Sequence, residues 1–140
     1  MNQDIHDAIH EIVLEIVNAS ELEDKQSQWA AYQRLAAICE STEKAGNNHP
    51  FQWETLGDFT NDKTLALGFY EKALGYAVAA ELNEYVASIC LAIAETLVTI
   101  GKPTKAKYFA AQANEAAAST DDLELRRSIS ELELQLSNGT

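Results

Sequence analysis

The chain has 140 residues, a length that suits one domain whose core needs neither a disulfide nor a metal to hold it. Its composition, 46% hydrophobic and 23% charged, is ordinary for a globular protein, and Val, Thr and Ile are too scattered to make strand-like runs. A net charge of −12 argues against non-specific nucleic-acid binding, which needs cations to displace counterions from phosphate, and suits an anionic membrane surface equally poorly.

Helical spacing starts at the N-terminus. Ile5, Ile9, Ile12, Val13, Ile16 and Val17 recur on one side of a first helix, with Asp4, Asp7, Glu11, Glu15 and Asn18 on the other. Ser20 followed by Glu23 has capping-box spacing and predicts the start of a second helix. Its buried stripe is expected at Leu22, Trp29, Tyr32, Ala36 and Cys39, widened by Leu35 and Ile38, up to a stop at Gly46-Asn47-Asn48. His49-Pro50 opens a short third helix, with Pro50 in the first turn where a missing N–H is harmless. A fourth runs from about Lys63 to Glu81. Asn83 is the expected cap of a fifth, whose face is Val86, Ile89, Cys90, Ile93, Ala94 and Leu97. Gly101-Lys102-Pro103 ends it and starts a sixth with Ala106, Phe109, Ala110, Ala113 and Ala117 inward. Thr120-Asp121, with Glu124, is the expected cap of a seventh that carries Leu125, Ile129, Leu132 and Leu136, and residues 137–140 read as a frayed end.

Seven helices joined by short turns predict an all-α stack of antiparallel pairs, since one pair alone cannot bury both its faces. A repeat supports this. Ala66-Leu-Gly-Phe-Tyr70-Glu-Lys-Ala73 lies over Ala106-Lys-Tyr-Phe-Ala110-Ala-Gln-Ala113 at a shift of 40 residues. Upstream, Trp53-Glu-Thr-Leu56-Gly57 and Cys90-Leu-Ala-Ile93-Ala94 hold matching places, and Gly101 marks the tight turn before Ala106. The chain here resembles the tetratricopeptide repeat (TPR) family, whose pattern sets W-x-x-L-G in a first helix and A-x-x-x-F/Y-x-x-A in a second. Trp53, Leu56, Gly57, Ala66, Tyr70 and Ala73 match it. The second unit is degenerate, and the 40-residue interval is closer to the longer-repeat branch than to the usual 34. The resemblance covers roughly residues 50–120. It implies a right-handed TPR-like α-solenoid in one domain. Residues 1–48 form an N-terminal pair, 49–81 and 83–120 two TPR-like units, and 121–137 a capping helix.

Little in the sequence points to chemistry. His6 and His10 share a helix face but lack a third ligand and the HExxH form, so no metal site is assigned. Cys39 and Cys90 sit in apolar helical patterns and read as buried, reduced, structural thiols. No phosphate-binding glycine loop is present. The expectation is a protein that is not an enzyme and takes no cofactor. Without a basic leader or a long apolar run, a cytoplasmic location is expected.

The resemblance implies partner binding on a concave surface lined by the first helix of each pair. Phe51, Glu54 and Asp58 would line it from one unit, and Ser88, Leu91, Glu95 and Thr99 from the next. Such a groove would be acidic with apolar spots, and its complement is a cationic or amphipathic segment of another protein. The leading reading is therefore a scaffold or adaptor, with homodimerisation through an end face as a further mode. One alternative is a small acidic inhibitor, like an immunity protein, using Asp4, Asp7, Glu11 and Glu15 against a basic toxin or nuclease. Residues 1–24 hold seven acids and no Lys or Arg. Another is a secretion chaperone, which would need a groove rich in exposed apolar side chains.

Overall fold

The computed structural model describes residues 2–138. Along them run α1 (Gln3–Glu21), α2 (Lys25–Lys44), α3 (Pro50–Asp58), α4 (Lys63–Ala79), α5 (Asn83–Thr99), α6 (Pro103–Ala117) and α7 (Leu123–Asn138), with no strand among the described residues. The helices pack as sequential antiparallel pairs, α1 with α2, α3 with α4 and α5 with α6, and α7 covers α6 and the edge of α5. None of the described helices is long and apolar enough to cross a membrane.

The helix ends follow from local chemistry. Side chains of Asn2, Asp24, His49 and Asp62 accept hydrogen bonds from backbone N–H groups in the first turns of α1 to α4, and Asp122 does so for Leu125 at the start of α7. Four helices stop in the same way. Glu23, Gly46, Glu81 and Gly101 take left-handed φ values of 56°, 79°, 56° and 78°. The next residue's N–H then reaches five residues back, as in Asp24 to Ala19, Asn47 to Thr42, Leu82 to Ala77 and Lys102 to Leu97.

Small residues set the closeness of the packing in the middle and C-terminal pairs. Ala66, Ala73, Ala77, Ala87, Ala94, Ala106, Ala110, Ala113 and Ala117 are all buried, and Ile89, Ile93 and Leu97 fill the space between. Gly57 lets the Tyr70 ring lie on α3; a Cβ there would come within 2.7 Å of the ring. That contact unites Trp53, Leu56 and Gly57 with Ala66, Tyr70 and Ala73 in one packing unit, and Trp53 is 4% exposed within it.

Several local expectations change. α1 continues through Ser20 to Glu21, and Asp24 caps α2 instead: its carboxylate accepts from both the N–H and the Oγ–H of Ser27. The stripe of α2 accordingly turns to Ala31, Leu35, Cys39 and Thr42, leaving Leu22 at 80% and Trp29 at 59% exposure. Val17 also faces out. Leu82 precedes α5 without a side-chain cap, and Asn83 is already helical, its amide donating to Ser119 Oγ. At α7 the capping carboxylate belongs to Asp122 and not to Asp121. Ser137 and Asn138 complete that helix where a frayed end was expected, and residues 139 and 140 lie outside the described part.

Candidate functional site

α3 and α5 lie side by side, and the predicted row of side chains falls along them. Ser88 Oγ donates to Glu54 Oε2 at 2.6 Å, which ties the two helices together. Tyr70 O–H donates to Asp58 Oδ1 at 2.7 Å. Burial pushes the Glu54 carboxyl up to about 7; the Ser88 bond opposes this and the charge of Asp58 adds to it. Asp58 and Glu95 open to solvent on their outer sides and are crowded by protein on the inner. Partial desolvation raises both, and Asp58 raises Glu95 further. The three acids thus form one group in which burial disfavours each charged form.

The rest of the row divides. Phe51 is half-buried because His6 of α1 stacks on it, with ring centroids 4.7 Å apart. Leu91 is 8% exposed and belongs to the core, so it offers little surface to a ligand. Thr99 is exposed, with its hydroxyl turned back to the Glu95 carbonyl. The structure brings Glu54, Asp58, Ser88 and Glu95 together and leaves Phe51, Leu91 and Thr99 at the margins. Burial raises the thiols of Cys39 and Cys90 to about 12 and about 11. A thiol held protonated in this way is a poor nucleophile.

A second feature went unread in the sequence. Between α2 and α4, on the Trp53 side of α3, two clefts of about 510 Å³ and about 460 Å³ share Leu65 and together make one groove. Trp29 and Tyr32 stack at 5.5 Å on the α2 side, while Leu65 and Phe69 stand on the α4 side. Polar contacts cross it at two places: the hydroxyls of Tyr32 and Thr60 meet at 2.7 Å in the wall of the first cleft, and Glu43 takes hydrogen bonds from Lys72 and Tyr76 at the far end of the second. Lys72 also lies 4.1 Å from the centroid of the Trp53 ring. The signal available in the sequence was α4 itself, which is apolar around most of its circumference and so carries more hydrophobic surface than one core face can use.

No protein-family model, curated protein or solved structure matches this chain. Its functional reading therefore rests on the geometry above.

Proposed function

We propose that the protein is a non-catalytic, TPR-like interaction module that binds a cationic or amphipathic segment of another protein along the α3–α5 row. The carrying observation is the grouping of Glu54, Asp58 and Glu95, in which burial disfavours every negative charge and Asp58 repels the other two. A Lys or Arg side chain placed among them would supply the missing counter-charge and replace the lost solvation. Glu15 of the acidic first helix is already paired with Arg34, which weakens the inhibitor alternative.

Because Glu54 titrates near 7, it must lose a proton before it can meet a cation. Binding should therefore tighten as pH rises from 6 to 8. The test is fluorescence anisotropy of a labelled 12-residue peptide of alternating Lys and Leu pairs. We expect roughly five-fold tighter binding at pH 8 than at pH 6, with the difference abolished in Glu54→Gln (a five-fold change is about 1 kcal/mol). A peptide that binds equally at both pH values, or not at all, removes the carboxylate set from the reading.

A further inference from the structure

We propose that the groove between α2 and α4 is a second docking site, and that its occupant is an amphipathic helix of a partner protein. The groove has apolar walls on both sides: Trp29 is 59% and Leu65 50% exposed, with Tyr32 and Phe69 beside them. Isolated exposed apolar residues are ordinary, but here they converge on one continuous cleft.

Glycine placement on α4 narrows the occupant to a helix. Gly68 of α4 lines the groove. A Cβ added there would meet nothing within 4 Å, so no neighbour within the chain requires glycine at this place. It lies inside a helix, where glycine is less favourable than alanine. Bare backbone on an open face admits the close approach of another backbone. At the place of Gly68 in the 40-residue repeat, the next unit carries Tyr108.

Charge sets the direction. Lys25 stands at one end of the groove and Glu40 toward the other, and neither has an ion pair among the described residues, whereas Lys72 is committed to Glu43 and the Asp62 carboxylate beside Lys25 caps α4. The complementary helix carries a carboxylate near Lys25 and a cation near Glu40. A helix is itself favoured by acid in its first turn and base in its last, so the occupant runs parallel to α2. This site shares with the α3–α5 row only the premise that the protein binds proteins, and variants on different helices tell the two apart.

The probe is a synthetic 18-residue helix of Leu and Ala with one apolar face, Glu in its first turn and Lys in its last. Its control is the same composition with the Leu residues dispersed around the helix. Binding is read from tryptophan fluorescence and by titration calorimetry. We expect the faced helix to bind in the tens of micromolar and the control about ten-fold more weakly. Leu65→Glu and Gly68→Leu should each weaken binding about ten-fold, and Lys25→Glu about three-fold. Gly68→Ala should raise the melting temperature by about 2–5 °C while weakening the probe, a combination that a purely structural role for this glycine does not give. Equal binding of faced and dispersed helices overturns the proposal. So does binding that ignores the groove variants and responds to Glu54→Gln. If the protein alone sediments as a dimer that Leu65→Glu dissociates, the groove belongs to a second copy and the partner-helix proposal fails.

Discussion

Where α1 and α2 meet the middle pair, most of the specific contacts are polar or aromatic. Tyr32 meets Thr60, Gln52 donates to Thr42 and to the Asn47 carbonyl, Glu43 holds Lys72 and Tyr76, and His6 stacks on Phe51. Where α5 and α6 meet the middle pair, small apolar residues carry much of the packing: Ala73, Ala77, Ala87, Ala94 and Ala106 have no exposed area, and a polar bond from Ser88 to Glu54 joins α5 to α3 at one edge. Close alanine packing leaves those positions no exposed area. Polar latches spaced along α2 leave a groove beside them. The difference teaches that the same helix-pair unit can be docked through small apolar faces or through longer side chains with open space between. The first pair should accordingly open more easily than the rest.

The comparison can be broken most severely at its apolar side. Ala73→Arg places a cation at a fully buried position without a partner, and should cost more than about 5 kcal/mol; loss of the helical circular-dichroism melt is the expected result. A variant that melts normally would overturn the packing assigned to α4. Gly57→Ala comes next. Its methyl would press on the Tyr70 ring at 2.7 Å, at a cost of roughly 1–3 kcal/mol from overpacking, measured by urea denaturation.

Tyr32→Phe sharpens the contrast by removing one latch hydroxyl, at a cost of about 1 kcal/mol. Hydrogen exchange should quicken in α1 and α2 while α5 and α6 stay protected; uniform quickening would mean that the pairs open together. The smallest effect is expected from Glu54→Gln, and it depends on pH. Burial pushes the folded carboxyl up to about 7 from the usual 4.5 of a glutamate, so the folded state holds that proton more tightly than the unfolded chain does. The stability this gives is present below about 4.5 and is lost as pH rises to about 7. The variant should match the natural protein at pH 5 and melt a few degrees higher at pH 8, measured by calorimetry in matched buffers.

Much of this architecture was legible because its signals were local. Pro50, Gly46, Gly101 and Asp62 each mark a boundary by backbone or capping chemistry, and the spacing of Trp53, Leu56, Gly57, Ala66, Tyr70 and Ala73 carried the packing of α3 on α4. The second helix was harder to read. Trp29 invites placement in a core, yet the turn at Leu22-Glu23-Asp24 starts α2 four residues later than Ser20 would and brings Ala31 and Leu35 inward instead. Glu23 hid one helix stop, since glutamate rarely takes a left-handed φ. The carboxylate row was found by its place in the repeat. Its internal hydrogen bonds to Ser88 and Tyr70, the burial of Leu91 and the open groove beside Trp29 depend on the distances between helices, and no single stretch of sequence encodes those.

The two cysteines make a further use of the same division. Cys39 belongs to α2, donates to the Gln52 carbonyl of α3 and has no exposed area, while Cys90 lies in α5 with 2% exposed. Each is therefore closed to alkylating reagents until its own seam parts. The molecule thus carries two built-in stopwatches, one in α2 and one in α5, and the interval between their labelling times measures how far the first helix pair leads the rest when the fold begins to come apart.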